Sequence, residues 1–514
     1  MNNRDVRATW KYHDDTKHSA WSVRNNPHFL DFANRPLPFK LYPTIEPRPL
    51  PRDLPQTGVT ALSAIAERVR PSRTEAVPDL HDVARILYFS AGITKQRAYP
   101  GGEIYFRAAA CTGALYEIEL YLVTSQLAGL DSGVYHFNPA DVSLRLLRGG
   151  DFRGNLAQAT AMEPAVAHAP ATIICTGTYW RNAWKYQART YRHFGWDNGT
   201  LLANMLAVSA ASGLPAKIVL GFVDAEVNRL LDLETRREVS LSLVPIGCIP
   251  GGSLLAPREA TALSLETVPL SQHEVEYSAM LQMHDASSLE TEEEVRQWRE
   301  RRSAVTSFAP VGEQIPLRPP SEEEQPKDTI EQVILRRGST RTFDKGASIT
   351  LSQLSTILDC ATRGVSADFL EPPGSQLSDL YLIVHSVQGL RPGAYFFQRD
   401  RNALEVLKPG DFRAVAYHLG LEQELPADAC VAIFFLADLE RILEQYGNRG
   451  YRGVQLEAGV IGGRMYLAAY AQRLGSTGLT FFDDDVTAFF SPHAKRKSAI
   501  FLLAIGKPLK GKAR

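Results

Sequence analysis

Several marks of secreted, membrane-spanning and nucleic-acid-binding proteins are missing from this chain. Its five cysteines form no C-x-x-C pair, and their odd number argues against a disulfide framework or a zinc knuckle. No apolar run reaches the roughly 18–20 residues that span a bilayer, and the N-terminal segment lacks the apolar stretch of a signal peptide. The net charge of −1 gives no electrostatic reason to bind nucleic acid or a membrane surface. We therefore expect a cytoplasmic protein without nucleic-acid or membrane partners.

Common nucleotide and metal motifs are also absent. The sequence contains no P-loop, no H-E-x-x-H and no G-x-G-x-x-G that follows a strand. Nucleoside-triphosphate chemistry and a Rossmann dinucleotide domain therefore have no support, and we predict no metal site.

What the chain does contain is a long internal repeat. Its 514 residues exceed the about 250–300 that a single core supports, so at least two domains are expected. Adding 260 to a position in the first half finds a matching residue in the second half over a long stretch without a gap. The matched pairs include Gly129 with Gly389, Tyr135 with Tyr395, Asp151 with Asp411, Arg189 with Arg449, Arg192 with Arg452 and Gly199 with Gly459. A period this long indicates a duplicated domain rather than a solenoid.

Each copy has the same predicted order of elements. Two helices with apolar residues spaced by three and four come first, then strands, a long helix and a last strand. This order predicts a mixed sheet flanked by helices, so the fold class is α+β. We predict an N-terminal arm (1–55), domain one (56–250), a linker with a solvated polar helix (251–327) and domain two (328–514).

Four segments carry a family resemblance. They are YHDDTKH at 12–18, ACTGALYEIELYLV at 110–123, WKYQARTYR at 184–192 and RRGSTRTF at 336–343. Together they resemble the nitroreductase superfamily and, within it, the SagB-type dehydrogenases, which include the azoline oxidases. Nitroreductases are obligate dimers that hold FMN at the subunit interface. The resemblance therefore implies two fused FMN-dependent nitroreductase-like domains that form the dimer within one chain, here called the intrachain pseudo-dimer; further association into a homodimer stays open.

The resemblance assigns the cofactor-binding residues to two motifs. In domain two, Arg337, Ser339 and Arg341, with Arg336 as a helper, match the phosphate motif, and arginine suits phosphate because its planar donors bind two oxygens at once. In domain one, the loop of Cys111, Thr112, Gly113 and Ala114 matches the piece that contacts the flavin from the opposite subunit. Glycine at position 113 lets the backbone approach the ligand closely.

Each motif is degraded in the other copy. Domain one has only ERVRPSR at 67–73, where Arg70 and Arg73 offer at most a weak phosphate site, and domain two has PPGSQLS at 372–378 in place of the glycine loop. Because the two losses are complementary, we predict one composite FMN site per chain. The basic residues Lys507, Lys510, Lys512 and Arg514 near the C-terminus could close its phosphate end.

The candidate catalytic residues are Lys185 and Tyr186, which match the family's catalytic Lys-Tyr pair. At the 260-residue offset, domain two has Gln445 and Tyr446. Free lysine titrates near 10.4, so it acts as a base only if burial or a nearby cation lowers its pKa.

The resemblance predicts a dehydrogenase or oxidase of azoline-like heterocycles, either small molecules or parts of a peptide, working beside biosynthetic partner enzymes. Two alternatives remain. One is an NAD(P)H-dependent reductase of nitroaromatics or quinones, and the other is a non-catalytic binding or scaffold protein whose flavin site has decayed.

Overall fold

The computed structural model describes residues 2–66, 75–99, 102–251, 256–301, 311–372 and 375–509. The weak phosphate candidates Arg70 and Arg73 and the tail residues Lys510, Lys512 and Arg514 lie outside these ranges.

The arm and domain one build a six-stranded antiparallel sheet with the strand order β1-β6-β5-β4-β7-β8. The arm contributes α1 (Arg7–Asp15), α2 (Ala20–Asn25) and the edge strand β1 (Pro47–Pro49). Domain one contributes the strands β2 (Ile93–Tyr99), β3 (Gly102–Arg107), β4 (Ile118–Thr124), β5 (Gly133–Asn138), β6 (Ser143–Gly149), β7 (Ala171–Thr178) and β8 (Glu238–Ile246). Its helices are α3 (Ala61–Ala66), α4 (Leu80–Ala91), α5 (Arg153–Ala159), α6 (Pro164–Ala167), α7 (Tyr179–Tyr186), α8 (Thr190–Ala211) and α9 (Asp224–Leu230).

The linker and domain two repeat this design with a seven-stranded sheet in the order β16-β17-β15-β11-β13-β14-β9. The linker contributes α10 (Ser278–Ala286), α11 (Glu292–Arg299) and the edge strand β9 (Gln314–Pro316). The strands of domain two are β10 (Ile349–Thr350), β11 (Asp379–Val384), β12 (Val387–Gln388), β13 (Gly393–Gln398), β14 (Ala403–Pro409), β15 (Val431–Ala437), β16 (Gly475–Leu479) and β17 (Ser498–Gly506). Its helices are α12 (Ile330–Arg336), α13 (Leu351–Thr362), α14 (Arg413–Leu419), α15 (Glu424–Asp428), α16 (Leu439–Tyr446), α17 (Arg449–Ala471) and α18 (Asp483–Phe490).

Local sequence explains where the predicted helices begin. Asp79 accepts a hydrogen bond from the Asp82 backbone and opens α4, and Thr350 does the same with Gln353 at the start of α13. The long helices begin at Thr190 and Arg449, earlier than their apolar pattern indicates. Their first turns carry polar residues that are buried between the domains. A polar residue at a buried position interrupts the apolar spacing by which a helix is recognised in the sequence.

The two copies meet where α8 crosses α17, and the repeated glycines mark the crossing. A Cβ added at Gly199 would lie 2.6 Å from the Cα of Gly459. Only glycine allows the two backbones to approach this closely. The matched pair found in the sequence therefore lies on the pseudo-two-fold axis of the α+β pseudo-dimer.

Reciprocal ion pairs flank this axis. Asp483 of domain two pairs with Arg189 and Arg192 of domain one at 3.1 and 2.6 Å. Asp224 of domain one pairs with the matched residues Arg449 and Arg452 of domain two at 2.6 and 2.7 Å. All six side chains are buried. Removing one partner would leave an uncompensated charge in the interior, which destabilises the folded state.

The predicted linker is a second copy of the arm, which corrects our expectation of a solvated connector. Arg192 donates to the carbonyl of His13 in α1 at 2.6 Å, and Arg452 donates to the carbonyl of His284 in α10 at 2.9 Å. The strands β1 and β9 occupy the same edge position in their sheets. The helix α11 is likewise not fully solvated, since Val295 and Trp298 are buried. Among the described helices, none combines the length and apolarity needed to cross a membrane.

Candidate functional site

Arg337 of the phosphate motif reaches across to domain one. It follows the last turn of α12, and its guanidinium donates from Nε to the carbonyl of Ala108 and from Nη2 to the carbonyl of Arg107, both at 2.9 Å. These carbonyls lie just before the glycine loop. The phosphate motif of one copy and the glycine loop of the other are therefore held together directly.

The other motif residues have different surroundings. Arg341 is exposed and lies beside Lys185, and Ser339 lies near Tyr466. Arg336 turns away from the interface and donates from Nη2 to Asp328 at 2.8 Å and to the carbonyl of Tyr470 at 2.9 Å. Of the four residues predicted to bind the phosphate, Arg337 and Arg341 face domain one.

The glycine loop packs against the candidate catalytic pair. Gly113 has a φ of +63° within the short turn Thr112–Ala114, and a Cβ at this position would lie 2.9 Å from the Tyr186 hydroxyl. Asp197 accepts from the Thr112 backbone at 2.8 Å and from its hydroxyl at 3.0 Å. Glycine is thus required both by the backbone conformation and by the close approach of Tyr186.

A buried acidic cluster lies below this loop. The Cys111 thiol donates to Glu117 at 3.3 Å and to Asp197 at 3.5 Å. Burial and the neighbouring Glu117 raise the pKa of Asp197 well above its ordinary value. Among the described residues, this is the one group whose ligand atoms, all within 4.8 Å of one another, could hold a metal ion. The sequence predicted no metal site, and no local motif in it indicates this cluster.

Lys185 and Tyr186 lie at the C-terminal end of α7. The Lys185 ammonium is 5.2 Å from the centre of the Tyr186 ring. Burial, followed by the charges of Arg341 and Arg35, lowers the pKa of Lys185, which is the direction a general base requires. Burial, together with Asp197, Cys111 and Glu117, raises the pKa of Tyr186, so this hydroxyl keeps its proton at neutral pH.

The arm forms a wall next to Lys185 that sequence reasoning did not anticipate. His28 contacts the carbonyl of Trp184 at 2.8 Å, and the Trp184 indole donates to the carbonyl of Asp31 at 2.9 Å. These bonds bring Arg35 close to Lys185. No local pattern in the sequence pairs residue 35 with residue 185, so only the fold reveals this contact.

At the mirror position, side chains of the chain itself fill the space beside Tyr446. Trp298 of α11 is 2% exposed, its ring centre lies 5.7 Å from that of Tyr446, and its indole donates to the Tyr446 carbonyl at 3.1 Å. The Asp368 carboxylate accepts from the backbone of Leu220 and Gly221 at 2.9 and 2.8 Å. On the described part of the mirror side, a linker residue thus packs against Tyr446, and a domain-two carboxylate binds the backbone of Leu220 and Gly221.

The composite site fits a flavin with a phosphate group. Within the described ranges, no carboxylate lies at ion-pair distance from Arg337, Arg341 or Lys185, and the charges of Arg341 and Lys185 act on each other without a counter-charge. Such a cluster favours an anionic ligand. Because Gly113 has no side chain, a ligand beside it can approach the backbone of the loop closely.

Comparison with known proteins identifies a family for part of the chain. The Nitroreductase family matches residues 334–507. The chain is 26% identical over 168 residues to a "putative nitroreductase" of Methanocaldococcus jannaschii, which covers 33% of this chain and 80% of that protein. It is also 26% identical over 169 residues to the trifolitoxin-processing protein TfxB of Rhizobium leguminosarum, covering 30% of this chain and 43% of that protein.

A solved structure extends the similarity to both copies. The crystal structure of a "putative nitroreductase" from Anabaena variabilis has 25% sequence identity and a TM-score of 0.78, and the match covers 98% of this chain and 99% of that one. The chain therefore carries a nitroreductase-family domain over residues 334–507, within a nitroreductase-like fold that extends over nearly its whole length.

Proposed function

We propose that this nitroreductase-family oxidoreductase binds one FMN in the composite site and dehydrogenates azoline-like heterocycles carried by a peptide or another natural product. One observation carries the proposal: unpaired cations of domain two converge with the glycine loop and the Lys-Tyr pair of domain one. Neither copy contains all three parts.

The roles of the residues follow from their positions. When bound, FMN supplies the hydride-accepting ring. Arg337 and Arg341 bind the phosphate, and the loop at Gly113 contacts the coenzyme through its backbone. Lys185 takes the proton from the substrate, because its pKa is lowered by burial and by Arg341. Tyr186 stays protonated and orients the substrate as a hydrogen-bond donor.

Two features favour dehydrogenation over reduction. A reductase of nitroaromatics or quinones needs no dedicated base, whereas a dehydrogenase must remove a proton from carbon, and we assign that step to Lys185. The relative TfxB is named for the processing of trifolitoxin, which supports a peptide-borne substrate and biosynthetic partner enzymes.

The NAD(P)H-dependent reductase is the second candidate, supported by the two relatives named as nitroreductases. Stopped-flow reduction of the bound flavin separates the two functions. We expect slow reduction by NAD(P)H, and fast reduction with saturation would favour the reductase. A purified protein without a visible flavin band, which also fails to bind added FMN, would favour the non-catalytic scaffold.

We expect one FMN per chain, because each of the two motifs is degraded in the other copy and Trp298 packs beside Tyr446 on the mirror side. Protein concentration and released flavin, measured on the same denatured sample, give the ratio. Trp298→Phe serves as a control, since its smaller ring should leave the ratio at one. Two tightly bound equivalents in the wild type would show that the mirror site is functional.

We also expect turnover to rise with pH as Lys185 loses its proton. Because Arg35 lowers the pKa of Lys185, Arg35→Gln should raise this pKa and move the acidic limb of the pH–rate profile to higher pH. Arg24→Gln, at an exposed arm position paired with Glu422, is the matched control and should leave the limb in place. A shift to lower pH in Arg35→Gln would contradict Lys185 as the base.

A further inference from the structure

The hairpin of β2 and β3 is present in domain one and has no described counterpart in domain two. Its strands pair from Ile93 with Arg107 to Tyr99 with Gly102. In domain two, the corresponding interval runs from the end of α13 at Thr362 to the start of β11 at Asp379, and no strand occurs in its described residues. The hairpin therefore accompanies the retained glycine loop and faces the retained phosphate motif.

Lys95 connects this hairpin to the phosphate motif. Its ammonium lies 3.4 Å from the carbonyls of both Arg336 and Arg337. In return, the Arg337 guanidinium binds the carbonyls of Arg107 and Ala108 at the base of β3. Lys95, an exposed side chain, thus binds the backbone of the phosphate motif, and Arg337 binds the backbone at the end of the same hairpin.

The charges around Lys95 are unbalanced. Desolvation and the charge of Arg337 lower the pKa of Lys95, and in the described part of the chain no carboxylate lies at ion-pair distance from either residue. Both bonds from Lys95 to the carbonyls are long, at the limit of hydrogen-bond geometry. A doubly charged anion between the two side chains would relieve the repulsion and offer Lys95 a shorter, charge-assisted bond.

We propose that Lys95 of β2 is a third cation of the phosphate clamp, contributed by domain one, and that it binds the coenzyme phosphate together with Arg337 and Arg341. This inference rests on the proposed function, since it names a further binding residue of the same FMN site. It also implies that the phosphate, and not only the flavin ring, bridges the two copies of the repeat.

The test compares FMN with riboflavin, which has the same ring but no phosphate. For Lys95→Gln we expect the Kd of FMN to rise about 10-fold, the effect of one charge-assisted hydrogen bond, while the Kd of riboflavin stays within about 2-fold. Lys95→Arg should retain most of the FMN affinity, because it keeps the charge. Flavin fluorescence quenching on titration with protein measures both constants.

Arg97→Gln is the matched control, because Arg97 is exposed on the same strand and the change removes the same charge. It should leave both constants unchanged, and thermal melting should show that every variant folds. Equal FMN affinity in Lys95→Gln and the wild type would overturn the clamp while leaving the proposed function intact. An equal loss of riboflavin affinity would also overturn it. A wild-type protein that binds neither flavin would refute both proposals.

Discussion

Replacing Arg341 with alanine is expected to release FMN from the purified protein. Arg341 is exposed, no described carboxylate pairs with it, and it lies beside Lys185, which is why we assign it to the proposed phosphate clamp. Hydrogen bonds to charged groups contribute about 1.5–3 kcal/mol, which corresponds to a loss of affinity of roughly 10- to 150-fold. Equilibrium titration of the apoprotein with FMN measures the change.

The same substitution should leave the fold intact, because the side chain lies at the surface. Arg296→Ala in α11 is a suitable control, since Arg296 is half exposed and pairs with Glu293 on its own helix. We expect its FMN affinity and melting temperature to match the wild type. An Arg341→Ala protein that keeps wild-type FMN affinity would exclude this residue from the phosphate clamp and would place the phosphate elsewhere.

Replacing Lys185 with alanine is expected to keep the flavin and abolish most of the turnover. Lys185 lies at the end of α7 and makes none of the Arg337 bonds that join the two copies, so we expect the proposed phosphate clamp to retain the coenzyme. General base catalysis contributes about 10²- to 10⁴-fold, and we expect kcat to fall by that factor. Flavin content is read from the visible spectrum, and kcat from steady-state oxidation of an azoline-bearing substrate.

The internal repeat provides the control for this experiment. Gln445 occupies the position matched to Lys185 on the mirror side, and Gln445→Ala should leave kcat unchanged. Added primary amines should restore part of the activity of Lys185→Ala if the missing group is a base. Full activity in Lys185→Ala would assign proton removal to another residue, and loss of FMN would make Lys185 a binding residue.

The sequence by itself determined the duplication, the α+β class and the pieces of the site. A constant offset of 260 residues needs no structure to detect, and it correctly matched Gly199 with Gly459 and Arg189 with Arg449. The phosphate motif and the glycine loop are short local patterns, and their complementary loss predicted that the two copies complete each other. The contact between Arg337 and the backbone before the glycine loop agrees with that expectation.

The tertiary structure alone decided what surrounds these pieces. It turned Arg336 toward Asp328, brought Lys95 and Arg35 to the site, and placed Trp298 beside Tyr446. It also showed that the linker repeats the arm, although their sequences share little beyond one His-Asp dipeptide. This dipeptide begins at His13 in the arm and at His284 in the linker. These contacts join residues far apart in the chain, and they depend on burial and on the direction of each side chain. Periodicity and local motifs carry no information about either, because they describe a residue only in relation to its neighbours in sequence.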